Sequence, residues 1–262
     1  MTTIAMLGEH TSHRTFPPTR RAAPVAALQK WQNRLLEALP DEAWQRVAPH
    51  LERVELSAGT VLYECGNAVN YVYFPVTAIV SLLYVTKDGA SSQVAMVGLD
   101  GLVGTSFFKG GETPSTSAVV QSPGGALRLR ANWLEQEFNR GGALTDVLLR
   151  YIQTLLNQMA QTAVCNRHHT LDQQLCRLLL MSLDRLAGSE LVITHEGISN
   201  IIGVRREGVT QAAGRLQRLG YISYSRGRIS VLDRCALERH VCECYKGAKR
   251  PADRSLRCAA YA

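Results

Sequence analysis

Residues 194–232 read THEGISNIIGVRREGVTQAAGRLQRLGYISYSRGRISVL, and this stretch decides the fold. Ile198, Ile201 and Ile202 share one side of a short helix that begins near Thr194. Gly203 follows where a tight turn between two helices needs a positive φ. A second helix is predicted from about Arg205 to Leu219. Its inward side is Val209, Ala212, Ala213, Leu216 and Leu219. Its outward side carries Arg206, Glu207, Thr210, Gln211, Arg215 and Arg218. Small residues at 212–214 permit close helix packing, and Gly220 sits at the C-terminal cap. Two alternating runs, 221–225 and 228–232, then flank Arg226-Gly227 as a β-hairpin.

Helix, glycine turn, helix and hairpin together predict a winged helix-turn-helix that binds duplex DNA. A second helix of this type lies in the major groove with its N-terminal residues against base edges. Arg206 can bond guanine bidentately, Glu207 can accept from cytosine N4, and Gln211 can read adenine. Arg205, Thr210 and Arg215 extend the same surface, and Arg226 and Arg228 at the wing tip can reach phosphates. A solvated helix with surface charge pairs would show similar outer residues. The glycine turn, the hairpin and the charge distribution together favour DNA binding, although charge alone would not separate the two. From residue 194 onward the chain has 13 Lys and Arg against 6 Asp and Glu, while the remainder balances at 16 and 16. The whole net charge of +7 therefore sits in the last quarter, which points to a polyanion partner.

Upstream, the pattern divides the 262 residues into further units. Residues 1–24 hold Thr, His, Arg and Pro without an apolar run, and are expected to form a disordered lead-in rather than a secretory signal. A helix is expected over Val25–Leu39 and another from about Glu42 to Leu51, with Asp41 as its N-cap. From Val54 short Val-, Tyr- and Leu-rich runs alternate with glycine turns: 60–63, 71–74, 79–85, 93–97, 118–121 and 126–129. Such spacing indicates an all-β sandwich or roll, here a sensor unit spanning 25–140 with its flanking helices. After Gly141-Gly142 a long helix fills 141–167. Its stripe of Leu144, Leu148, Tyr151, Leu155 and Met159 is expected to be buried by a second copy of the chain. Another helix, Leu171–Leu186, opens the DNA-binding unit of 168–246, and 247–262 is a basic tail.

The stretch Gly203–Ile222 resembles the recognition helix of the Crp/Fnr family of transcription regulators, with its glycine lead-in, Arg-Glu pair and following apolar turn. The order of parts is similar over roughly Leu39–Leu232. The resemblance implies an α+β fold: a jelly-roll, cyclic-nucleotide-binding-like β-roll, a long dimerisation helix and a winged helix-turn-helix. It implies a homodimeric, cytoplasmic DNA-binding regulator, with RNA polymerase as a further partner. Arg206 and Glu207 fall on the family's base-reading pair. Gln211 stands where many members have a second Arg, and Arg205 where a Ser or Thr cap is usual. In the sensor, members that bind cyclic nucleotides carry a Gly-Glu and an Arg-Ser or Arg-Thr. Here Thr105 replaces the carboxylate and Thr116 the Arg, beside Ser106 and Ser117. Loss of that Arg removes charge-assisted bonds to a phosphate, so the pocket is expected to take another effector, left unidentified.

The same sequence bears on other chemistries. Iron–sulfur ligation needs several Cys together, and the roll has only Cys65. Cys165 and Cys176 flank the hinge as a conceivable redox pair. His240, Cys242 and Cys244, with Cys235 and Cys258, lack the paired Cys-x₂-Cys of zinc ribbons, so no metal is assigned. His168-His169 reads as a helix boundary. A metal-dependent cupin would need His on strands, and none lies between His50 and His168. No P-loop or nucleophile motif appears, so no enzyme is expected. No apolar run is long enough for a membrane span. A non-DNA interaction or ligand-sensing module with a cupin-like barrel is the alternative.

Overall fold

Asn33 shapes the start of the described chain. Its buried amide donates to the carbonyls of Pro75 and Gly101 and accepts from the Leu35 N–H. An extended residue at that point divides the expected helix over Val25–Leu39 into a 3-10 turn, Lys30–Gln32, and one helical turn, α1 (Arg34–Glu37). The computed structural model describes residues 29–105, 113–186 and 188–248. The expected lead-in and most of the basic tail lie outside these residues. Helix α2 (Asp41–Val47) follows, with Pro40 rather than Asp41 at its cap. Asp41 is instead the first helical residue and pairs with Lys30.

Two sheets form the roll. One has the order β1 (Glu52–Leu56), β7 (Gly124–Arg130), β3 (Tyr71–Pro75). The other is β2 (Val61–Tyr63), β6 (Ser117–Ser122), β4 (Ile79–Val85), β5 (Ser91–Val97). Alternation puts Val72, Phe74, Val80, Leu82, Ala118, Val120, Leu127 and Leu129 into the core between them. Strand β1 was not separated from its surroundings by sequence, because charged residues occupy its outer positions.

Helix α3 (Ala131–Arg140) leads through Gly141 and Gly142, both at positive φ, into α4 (Ala143–His168). The inward face of α4 packs on the roll of the same chain. Leu144, Leu148, Tyr151 and Leu155 are buried there, and Met159 packs partly against the same core. The Tyr151 hydroxyl donates to the Leu102 carbonyl at 2.7 Å, and Gln158 donates to Met96 at 3.1 Å. The stripe expected at a dimer interface is thus the intramolecular seam. The sequence shows that this stripe is apolar but not what covers it.

The C-terminal unit is built on α5 (Leu171–Leu183), opened by a capping box between Thr170 and Gln173. Its apolar residues meet α6 (His195–Ile202), α7 (Arg206–Arg218) and α8 (Arg234–His240). A three-stranded sheet of order β8 (Glu190–Val192), β10 (Arg228–Val231), β9 (Ile222–Ser225) closes it. Strand β8 and helix α8 extend the unit beyond the sequence reading. Leu219, expected inward, is 54% exposed because α7 ends before it.

Candidate nucleic-acid interface

The turn at Gly203 has φ +78° and ψ +38°, the left-handed conformation that glycine adopts without a Cβ penalty. Thr194 caps α6 by accepting from the Gly197 N–H at 3.0 Å. With the turn set, α7 seats Val209, Ala212, Ala213 and Leu216 in the core. Its other side then faces outward. Arg205, at the N-cap, and Arg206, Glu207, Thr210 and Gln211 are all exposed on the first turns. This is the surface the sequence predicted.

Two neighbours of this surface are supplied by the fold. His195 stacks on Tyr224 with ring centroids 4.0 Å apart and planes 15° apart. His195 Nδ1 lies 3.1 Å from Thr210 Oγ1, whose own hydroxyl donates to the Arg206 carbonyl at 3.1 Å. Burial, assisted by the Arg206 charge, holds the imidazole below its ordinary titration range. Sequence reasoning passed over His195 and Tyr224, since only the third dimension stacks residues of α6 and β9.

Arg215, expected on the same outward surface, is also engaged within the fold. Its guanidinium makes two bonds to Asp172 at 2.8 and 2.5 Å, clamping α7 to α5. In the wing, Arg226 has φ +49° and Gly227 φ +76°, the two positive values of a type I′ hairpin. Arg226 and Arg228 are exposed, and Arg228 lies 3.3 Å from Glu190 on β8. The surface therefore combines an arginine-led helix end with a basic hairpin.

Residues 173–240 match the Crp-like helix-turn-helix domain. This segment is a Crp-like helix-turn-helix domain. It makes the chain a DNA-binding transcription regulator. The architecture is that of Crp/Fnr regulators. FixK2 from Bradyrhizobium japonicum is similar with a TM-score of 0.59 and 15% identity, over 73% of this chain and 98% of its own. Two regulators from Thermus thermophilus are similar as well. One, of the CRP family, has a TM-score of 0.60 and 18% identity, over 71% of this chain and 94% of its own. The other, of the CRP/FNR family, has a TM-score of 0.57 and 23% identity, over 72% and 97%. No curated protein matches the sequence.

The residues expected at the effector pocket are partly engaged within the roll. Ser117 Oγ accepts the Cys65 N–H at 3.1 Å. The Gly66 N–H donates to the Pro114 carbonyl at 2.9 Å, and a Cβ on Gly104 would lie 3.2 Å from Val69. The 64–70 loop therefore touches the segments bearing both Thr105 and Thr116, while Ser106 lies outside the described residues.

The cysteines group differently from their sequence order. Cys165 Sγ is 3.6 Å from Cys242 Sγ, and Cys244 Sγ is 3.6 Å from His169 Nδ1. Cys176, the redox partner the sequence offers Cys165, is buried in the apolar core of the C-terminal unit. Burial pushes its thiol up to about 12. His240 and Cys235, near Cys242 in sequence, are not in this group.

Proposed function

We propose that the protein binds operator DNA as a two-fold homodimer, reading bases with Arg206, Glu207 and Gln211 and gripping phosphates with Arg205, Arg226 and Arg228. The exposed arginine-led end of α7 beside a basic wing carries this reading. Thr210 presents the helix end through His195, and Arg215 supports it from the Asp172 side. The functional units are a sensor over 25–140, a dimerisation helix over 141–167 and a DNA-binding unit over 168–246. We put the protein in the cytoplasm with the DNA it binds, assign it no reaction, and take RNA polymerase as a further partner.

The dimer uses the outer face of α4, since the inner face is filled by the roll. Leu149 is 51% exposed and Leu156 54%, with Ile152 between them in heptad spacing. A parallel pair of these helices presents both α7 ends to one side of a duplex, about one helical turn apart. For the effector we keep Thr105, Thr116 and Ser117 as pocket residues, with Ser106 from outside the described residues, for a ligand other than a cyclic nucleotide or an iron–sulfur cluster. The deciding experiment is a randomised-duplex selection with the purified chain. A two-fold symmetric, salt-sensitive site is expected. No enrichment at low salt would favour the interaction-module reading.

A further inference from the structure

Helix α4 ends at the hinge that leads into the DNA-binding unit. Cys165 lies in its last turn, and His169 caps it by donating its N–H to the Cys165 carbonyl at 3.1 Å. The chain returns to this point after α8, where Cys242 and Cys244 are buried two residues apart. The Sγ atoms of Cys165, Cys242 and Cys244 and a ring nitrogen of His169 all lie within 4.8 Å of one another. The three cysteines form a small buried cluster of their own, with Val241 as the apolar neighbour packed against it. We propose that Cys165, His169, Cys242 and Cys244 bind one Zn²⁺ ion tetrahedrally, stapling the hinge to the end of the DNA-binding domain.

The distances suit one ion. Zn–S bonds of about 2.3 Å at tetrahedral angles set sulfurs about 3.8 Å apart. The Cys165–Cys242 and Cys244–His169 separations, both 3.6 Å, are close to that. Three Cys and one His without an open position form a closed structural zinc set. The surroundings supply what such a set needs. His169 turns Nδ1 toward Cys244 and Nε2 toward Glu243 Oε1, at 3.3 Å. A carboxylate on the far nitrogen of a ligating imidazole fixes its tautomer and strengthens its donation. Zn²⁺ with three thiolates carries a net charge of −1, which needs a buried counter-charge. Arg177 is 8% exposed, and its charge acts on both Cys165 and Cys244. Its Nη2 is held by Thr162 at 2.9 Å, one turn before Cys165 on α4.

Competing readings explain fewer atoms. A Cys165–Cys242 disulfide would need the sulfurs to close to about 2.05 Å, and would leave Cys244, His169 and Glu243 without a shared purpose. Ordinary core packing accounts for buried cysteines but not for an imidazole whose two nitrogens meet Cys244 and Glu243. The ligands come from segments 77 residues apart, so ion binding would couple the dimer helix to the DNA-binding unit.

The test uses the full chain purified under reducing conditions. Elemental analysis should find about one zinc per chain. Cobalt substituted for it should show tetrahedral ligand-field bands with thiolate charge-transfer absorption. Cys244→Ser should abolish the charge-transfer pattern of the full ligand set, and Glu243→Gln should weaken zinc binding about tenfold. Cys176→Ser, equally buried but outside the cluster, should leave cobalt spectrum and affinity unchanged. A wild-type chain that takes up cobalt without thiolate bands overturns the proposal. So does a Cys165–Cys242 disulfide in the reduced preparation, or a cobalt spectrum indifferent to Cys244→Ser. The wild-type spectrum stands even where a ligand variant fails to fold.

Discussion

Arg185 and Asp100 form a two-bonded ion pair between the end of α5 and the roll, Nε to Oδ1 at 3.1 Å and Nη2 to Oδ2 at 2.7 Å. Both side chains are mostly buried, at 11% and 15% exposure. Around it Gln121 donates to Ser182 Oγ at 3.2 Å, and Ser91 Oγ donates to the Asn200 carbonyl at 3.3 Å. The helix-turn-helix thus rests on β5, and a Cβ on Gly203 would come 3.2 Å from Ser92 Oγ.

Removing one member of that pair strands a largely buried charge. Arg185→Ala should cost about 3 kcal/mol in urea denaturation, more than removing both partners, because the desolvated Asp100 is left alone. A double-mutant cycle with Asp100→Asn checks this. Additive losses would show that the pair has no coupling.

The two faces of α4 should fail differently. Leu156→Asp and Leu149→Asp touch the outer face and should give folded monomers by sedimentation, with weakened DNA binding. Leu148→Asp puts a carboxylate into the roll core, where Leu148 is 1% exposed, and should lose the cooperative unfolding transition. Folded monomers from Leu148→Asp, with dimers from Leu156→Asp, would return the interface to the inner stripe.

Three arginines of the DNA-binding unit should separate by role. Arg206→Ala should cost roughly 1–3 kcal/mol in binding and relax preference at one base pair per half-site. Arg228→Ala should weaken all sequences similarly and flatten the salt dependence by about one unit of slope. Arg215→Ala should lower thermal stability through the lost Asp172 clamp and leave the selected sequence unchanged. Selection and denaturation with the three variants decide the assignment.

His195 should make stability depend on pH. Its folded value is lowered, so folding favours the neutral ring. Stability is fully present above the unfolded value of about 6.5 and declines as pH falls below it toward the folded value. His195→Gln should remove that part of the decline in urea midpoints measured from pH 5 to 7.5. An unchanged profile would show that His195 does not titrate on unfolding.

The sequence by itself determined the helix-turn-helix, the wing and the succession of strands. Those features are local: an apolar period, a glycine where φ must be positive, and an Arg-Gly turn between alternating runs. It determined the outward face of α7 for the same reason, since Val209, Ala212, Ala213 and Leu216 leave one face for the core. Tertiary structure alone decided what lies opposite each face. Leu144, Leu148, Tyr151 and Leu155 are an apolar stripe in sequence, and only packing shows that the roll covers it. Arg215 looks like any outward arginine until α5 brings Asp172 to it. Cys165 and His169 have no spacing relation to Cys242 and Cys244. The chain must fold through a whole domain before their ligand atoms come within 4.8 Å, a contact to which periodicity is blind.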